Sequence, residues 1–460
     1  MKKVWLAGFI FVCMLVAACS SGTSVDVGGG EAEPPAQEPA ATGGQKEAET
    51  ETPAAGDDGP AELVFYSTSK DSEEAFNERY GDAIREQFPN YTIKYIQRVP
   101  ESTDLEQLIA SGQRIDILWD SLGSFPGSMI NHDLKFDMSE LLEKHGVDLS
   151  RFEPTLIDAA KQLGGGAIYG LPVENSTKVI FYNKDIFDKF GVDYPTDGMT
   201  WEQLHELANR LNVESDGAVY TGFSPPVNSM VLQNSYSMPL IDPETQRSTY
   251  GDEMWKKIIE TELLSTANNP TVKKAMQQYR KGNFQNLDQF YKDKVLAMWP
   301  EGQLLPILFD EELSQMNWDM VAMPTYSDKP GIGYQSYPIF FGITNQAENK
   351  DAAMKVLKFL VSDEFQLAHS KKGNMTSLAN EEIMKAMGSE SAFKDKNYGA
   401  FFYNKFAPVR PLSEVDTKVN ALSPMTNMLR GVINGEYDIN TGLRMAEEEV
   451  NKAIDEALKK

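Results

Sequence analysis

Between Leu63 and Trp119 the hydrophobic period switches back and forth, and this restricts the fold more than any other feature. Leu63-Val64-Phe65-Tyr66 is a short apolar run of the kind that forms a buried strand. Phe76, Tyr80, Ala83, Ile84 and Phe88 then recur at helical spacing, and Pro89-Asn90 ends that helix. Tyr91 to Ile96 is a second strand. Leu105, Leu108 and Ile109 mark a short helix closed by Gly112, and Ile115-Asp116-Ile117-Leu118-Trp119 is a third strand. Links this short between strand, helix and strand require parallel pairing, so an α/β layer fold is expected. In such sheets binding loops lie beyond the carboxyl ends of strands, here Ser67-Thr68-Ser69-Lys70 and Asp120-Ser121.

The pattern continues downstream. Thr200-Trp201-Glu202-Gln203 is a capping box, and Trp201, Leu204, Leu207, Ala208 and Leu211 follow on one helix face. Apolar strand candidates recur at Lys178 to Tyr182, Val295 to Trp299 and Trp318 to Met323. Ala352, Ala353, Val356, Leu357 and Leu360 predict one late helix, and Leu443, Ala446, Val450, Ile454 and Leu458 a terminal one. No internal repeat is present. A chain of 460 residues exceeds what one hydrophobic core supports, so two domains are expected.

The first nineteen residues address the chain. Lys2 and Lys3 precede an apolar run from Trp5 to Leu15, which is too short to cross a bilayer. Val16-Ala17-Ala18-Cys19 follows and resembles the bacterial lipobox, in which the cysteine is acylated and the peptide before it removed. The resemblance implies a signal peptide over 1–18, a lipid anchor (palmitate among its acyl chains) on Cys19, and a protein held on the outer face of the cell membrane without spanning it. Residues 20–60 hold nine acids, one base and almost no large apolar side chain. Such composition cannot offset chain entropy, so 19–60 reads as a lipidated, disordered acidic tether. Random-coil scaling gives it a reach of about 35 Å. A tether of this kind suits a thick-walled Gram-positive envelope.

Charge and cysteine usage exclude several functions. A formal charge of −25 repels nucleic acid and anionic lipid. Of the two cysteines, Cys13 leaves with the signal and Cys19 is consumed by acylation, so no disulfide, thiol nucleophile or thiolate metal site remains. His132, His145, His205 and His369 are far apart, and none belongs to an H-E-x-x-H pattern. Ser67-Thr68-Ser69-Lys70 fits the S-x-x-K motif of acyl-transfer enzymes, but so does Ser391-Ala392-Phe393-Lys394, and the partner motifs S-x-N and K-[ST]-G are absent. No Gly-rich phosphate loop is present. These patterns point to no metal, cofactor or acyl-transfer nucleophile, while the 68 acidic side chains leave a two-carboxylate glycosidase open.

One specific run goes from Ile168-Tyr169-Gly170-Leu171-Pro172-Val173-Glu174, through Phe181-Tyr182-Asn183-Lys184-Asp185-Ile186-Phe187, to Thr200-Trp201-Glu202-Gln203-Leu204. In this run the chain resembles the extracellular solute-binding proteins of ATP-binding-cassette importers, in the maltose-type family. Ile115 to Trp119, Lys294 to Gly302 and Asn349 to Phe365 agree in order. The stretches near 212–290 and 378–420 are not clear. The resemblance implies a two-lobe α/β fold of the type II periplasmic-binding-protein kind, with discontinuous lobes. Residues 62–172 and 326–374 would form lobe 1, and 175–323 and 376–460 lobe 2. Three crossings would fall near Pro172–Asn175, Met323–Ser327 and Gly373–Ser377.

The resemblance implies a binding protein without catalytic residues, whose function is capture of a solute, of carbohydrate type, by lobe closure, and its delivery to a membrane permease. The competing reading is a surface lipoprotein that binds or cleaves glycans without transport. A sugar cleft needs flat apolar faces together with carboxylates and amides that take hydroxyl protons. On that basis Trp119 and Asp120 at the third strand end are ligand candidates. So are Glu174 after the first crossing and Ser67, Ser69 and Lys70 on the first strand-to-helix loop. Trp299, Glu301 and Tyr337 occupy segments that face the cleft in relatives. Trp119 and Glu174 are expected to face each other across the groove. Near the end of the chain maltose-type members carry an aromatic where Met425-Thr426-Asn427-Met428-Leu429 has none.

Overall fold

The computed structural model describes residues 59–459. The expected leader, the Cys19 anchor and nearly all of the tether lie outside the described residues. The strands in chain order are β1 (Ala61–Tyr66), β2 (Tyr91–Ile96), β3 (Ile117–Ser121), β4 (Leu171–Glu174), β5 (Val179–Asn183), β6 (Val213–Ser215) and β7 (Ala218–Phe223). They continue with β8 (Ile241–Asp242), β9 (Arg247–Ser248), β10 (Leu296–Glu301), β11 (Trp318–Ala322), β12 (Ile332–Gln335), β13 (Ile339–Ile343) and β14 (Lys405–Ala407).

The first five-stranded sheet has the order β2-β1-β3-β13-β4. Its β1 pairs in parallel with both β2 and β3, as the strand-helix alternation requires. The helix between β1 and β2 runs from Glu73 to Gln87 and contains a π-turn at Asn77–Gly81. The sheet is mixed because β13 arrives from the other half of the molecule and lies antiparallel to β3 and β4. Leu63, Phe65, Ile117, Leu118, Phe341 and Leu357 meet in its core.

The second sheet has the order β11-β5-β10-β7-β6. Both of its faces are covered, and β5 shows why its sequence is apolar throughout. Ile180 and Tyr182 enter one core with Trp201 and Trp255, while Val179 and Phe181 enter another with Leu296 and Trp318. Strand periodicity of two sends alternate residues to opposite faces, and a strand buried on both loses the usual apolar-polar alternation. The capping box is present: Thr200 Oγ1 accepts from Gln203 N at 3.4 Å, and Gln203 Oε1 accepts from Thr200 N at 2.8 Å.

The chain first leaves the first sheet after Glu174 and joins the second at Val179. Its return lies later than expected. Tyr326 and Tyr334 still pack in the second lobe, and the first sheet is entered only at Ile339, so the passage runs through Ser336–Pro338 and not Met323–Ser327. The reason is a buried carboxyl. The hydroxyls of Tyr326, at 2.6 Å, and of Tyr334 both donate to Glu262, and this holds the 326–334 segment against the second lobe. Burial pushes the Glu262 carboxyl up to about 7, against the opposing pull of the two phenols. The last passage is not one step either. Met375 packs in the second lobe, Leu378 and Ile383 in the first, Met387, Tyr398 and Phe401 in the second, Val409 in the first, and Val415 and Val419 in the second again.

Gly222 on β7 lies against the helix Trp201–Arg210, where an added Cβ would stand 2.1 Å from the Ala208 carbonyl oxygen. Both sides are backbone and cannot rotate away. Gly222→Ala is therefore expected to destabilise the protein by about 1–3 kcal/mol, the usual cost of overpacking, or by more. A lowered urea midpoint with unchanged slope checks this.

Candidate functional site

The passages between the sheets meet at Glu174, the last residue of β4. Its side chain is fully buried, and the donors around it come from three separate parts of the chain. Arg79 donates to Oε2 at 3.0 Å and Tyr80 at 2.9 Å, both from the π-turn of the first helix. His369, on the helix Asp363–Lys371, lies 3.0 Å from the same oxygen. Gln303, which follows β10 in the second lobe, donates Nε2 to Oε1 and to the Asn175 carbonyl, each at 3.2 Å. Burial alone would raise this carboxyl. The Arg79 guanidinium, His369 and the Tyr80 phenol outweigh it and bring the group down to about 2. Backbone bonds bind the passages together beside it: Asn175 N to Met375 O at 3.0 Å and Tyr337 N to Ser176 O at 2.7 Å.

This corrects the expected roles of Glu174 and Trp119. Glu174 has no accessible surface, and its oxygens already hold donors from both lobes. Trp119 is 3% exposed, stacks on Phe341 at 5.6 Å and meets Tyr80 edge-on at 5.6 Å. It packs in the first core, so the two residues do not face each other across a groove. Asp120 is likewise enclosed. It accepts from Ser67 Oγ at 3.0 Å, Thr68 N at 3.0 Å, Thr68 Oγ1 at 2.8 Å and Ser128 Oγ at 2.6 Å. Burial raises its carboxyl, and these donors oppose the shift. Ser67 and Asp120 therefore fold the strand-end loops onto each other. Ser69 is half-buried, bonded to Ser67, and Lys70 is exposed beyond it.

The other candidates reach cavities. Tyr337 lines a space of about 680 Å³ between the lobes. The first lobe supplies Leu122, Pro126 and Ile130 from the turn after β3, and the second supplies Leu232, Leu240 and Leu422. Asn131 Nδ2 crosses to Thr417 Oγ1 at 2.7 Å, and a further space of about 410 Å³ with Tyr66, Arg98 and His132 adjoins that contact. Trp299 lines a third space, of about 380 Å³, within the second lobe. Its walls are Pro225 and Pro226 beyond the carboxyl end of β7, the 282–286 loop, and Leu429, Arg430 and Ile433 of the helix Leu422–Asn434. Glu301 is turned aside, held by the Trp299 indole at 3.3 Å and by Lys178 at 3.4 Å. Volumes of this order are typical of small-molecule sites. Among the described residues no group of three or more His, Cys, Asp or Glu side chains is placed to hold a metal ion.

Two sheets with separate cores, joined around a buried carboxylate and enclosing a cleft, define a two-lobe binding fold. The model of the family described as bacterial extracellular solute-binding protein matches residues 66–367, and the chain belongs to that family. The fold is the two-lobe type II periplasmic-binding-protein fold. The substrate-binding protein Lmo0181 of Listeria monocytogenes, solved with cycloalternan, superposes with a TM-score of 0.67 at 20% identity over 86% of this chain and 99% of that one. The sugar-binding protein MalE of Xanthomonas citri superposes with a TM-score of 0.65 at 15% identity, over 86% and 98%. The sn-glycerol-3-phosphate-binding periplasmic protein UgpB of Salmonella typhimurium is 23% identical over 330 residues, 67% of this chain and 70% of that one. The chain spans about half the length, 52%, of the Brucella abortus binding proteins that it matches over 228 residues.

The hinge carboxylate makes a pH prediction. Its folded pKa of about 2 lies below the unfolded reference of 4.5, so its stabilisation is complete above the higher value and lost as pH falls through the lower. At roughly 1.4 kcal/mol per unit this amounts to about 3 kcal/mol. Glu174→Gln is expected to cost up to about 3–5 kcal/mol at neutral pH, because it leaves the buried Arg79 with only the partly exposed Asp71, at 3.2 Å, as charge partner. The loss should shrink as the wild type is acidified. Urea titrations of both forms from about pH 6 to about pH 3 measure it.

Proposed function

We propose that this protein is a lipid-anchored receptor on the outer face of the cell membrane. It captures a carbohydrate by lobe closure and presents the closed form to an ATP-binding-cassette permease, without transforming the solute. The observation that carries this reading is the cavity of about 680 Å³ whose walls come from both lobes, beside a hinge that joins them. A solute in that space touches both bodies at once, so it binds the closed arrangement better than the open one. Only such differential affinity can shift a conformational population. Two bodies are expected to move, one built on the sheet of β1–β4 and β13, the other on the sheet of β5, β7, β10 and β11. The carbohydrate assignment is supported by the Listeria neighbour, which was solved with a cyclic saccharide. Anchoring through Cys19 is supported by the leader sequence. Among the described residues no helix is long and apolar enough to cross a membrane.

Two measurements test the reading. In a thermal-shift screen of saccharides, a solute at about 100 times its Kd should stabilise the protein by about 2.7 kcal/mol, a rise of several degrees. Sugars that never move the transition, up to millimolar concentration, would refute carbohydrate capture. Cys19→Ser should abolish incorporation of labelled fatty acid and release the protein from the membrane fraction. Unchanged labelling in that variant would refute the anchor.

A further inference from the structure

The second-lobe cavity differs from the two spaces between the lobes, both of which have carboxylates in their walls. The chain carries 68 acidic against 43 basic side chains, and its arginines in particular find acids beside them. Among the described residues every arginine except Arg210, Arg280 and Arg430 lies within salt-bridge distance of a carboxylate. Two of those three, Arg280 and Arg430, line the same space of about 380 Å³, and no aspartate or glutamate lines it.

Its other groups fit the same purpose. Arg280 ends the helix Pro270–Arg280 and is steadied through Nε by the Phe284 carbonyl at 3.3 Å, an attachment that leaves the rest of its fork available. Arg430 is exposed and makes no bond to the protein. Gln285 is 3% exposed, bonds through Oε1 to the Thr221 hydroxyl, and keeps its Nε2 without a partner. An unmatched buried donor costs about 1–3 kcal/mol, which a bound acceptor would recover. Trp299, Pro226 and Leu429 supply apolar wall. A neutral sugar hydroxyl seeks a carboxylate as acceptor, and this space offers none. Its strongest polar groups are donors, and two of them are fixed cations with the planar geometry that grips carboxylate, sulfate or phosphate. In a chain of net charge −25, a solute that is itself an anion needs such a local reversal of potential to enter.

We propose that this cavity takes the anionic group of a charged saccharide, with Arg280 and Arg430 holding the anion, Gln285 Nε2 donating to it, and Trp299 against the ring. The proposal rests on the solute-capture reading above and narrows its solute to acidic sugars.

Calorimetry on the full chain tests it with matched pairs: digalacturonate against digalactose, a sulfated disaccharide against its unsulfated form, and glucose 6-phosphate against glucose. Inorganic phosphate and acetate serve as ring-free controls. One acidic member is expected to bind at least about 10-fold tighter than its neutral partner, and the pair that does so identifies the anion. Arg430→Gln and Arg280→Gln should each weaken that ligand by about 10–100-fold, the usual worth of a charge-assisted bond. Wild-type affinity for it should also fall as salt rises, a readout that holds even where a variant folds poorly. Neutral sugars bound as tightly as acidic ones would overturn the charge assignment and leave saccharide capture standing. An acidic sugar bound equally by wild type and both variants would overturn the site. Ring-free anions bound as tightly as any sugar would overturn the saccharide class, and failure of every compound would overturn the capture reading with it.

Discussion

A carboxylate buried between two lobes has to be matched where it stands, and much of this architecture follows from that constraint. Removing such a group from water costs several kcal/mol unless its lone pairs are filled. Glu174 is fully enclosed, so the neighbouring elements must bring donors to it. The π-turn in the first helix presents Arg79 and Tyr80, the helix Asp363–Lys371 presents His369, and the segment after β10 presents Gln303. The first three belong to one lobe and the fourth to the other. The same carboxylate therefore organises the first lobe locally and ties it to the second. π-turns often mark functional positions, and here the turn carries two of the donors.

What the hinge permits is as informative as what it holds. Beside Glu174 the passages are joined by a few backbone bonds, while each sheet keeps its own core. Interiors packed in this way move as bodies, because close-packed cores resist continuous deformation. The Asn131–Thr417 bond across the cleft is exposed, and such a bond is worth only about 0.5–1.5 kcal/mol. Under the closure proposed above, a bond of that size would break readily as the lobes part and offer little barrier to solute entry. The cleft surfaces then decide what is retained.

Local chemistry made the elements legible. The strand Tyr91–Ile96 has the bounds its composition predicts, with Tyr91, Ile93 and Tyr95 buried and Thr92 and Lys94 exposed. The Thr200–Gln203 box starts its helix as expected. The second passage was not legible at its true place, because the resemblance put it near Met323–Ser327. What keeps the chain in the second lobe is a pair of phenols reaching Glu262, 64 and 72 residues away in sequence. The site was misread for the same reason. An aromatic at a strand end can point inward or outward, and Phe341, against which Trp119 stacks, lies far along the chain. The donors to Glu174 are 95, 94, 129 and 195 residues distant. Tyr80 was visible only as part of an apolar helix face, and His369 only as an isolated histidine. Arg280 lies where the family pattern fades, and Arg430 gained meaning only once the fold placed it in one cavity with Gln285.

The central claim is that solute binding closes two bodies about the Glu174 hinge. Spin labels at Glu106→Cys in the first lobe and Lys418→Cys in the second would report it, since both side chains are exposed and border the spaces between the lobes. Pulsed dipolar distances would be recorded with and without a saturating saccharide. The account predicts a broader and longer distribution without solute, collapsing to one shorter distance with it. A single distribution unchanged by a bound solute would contradict closure as the means of capture.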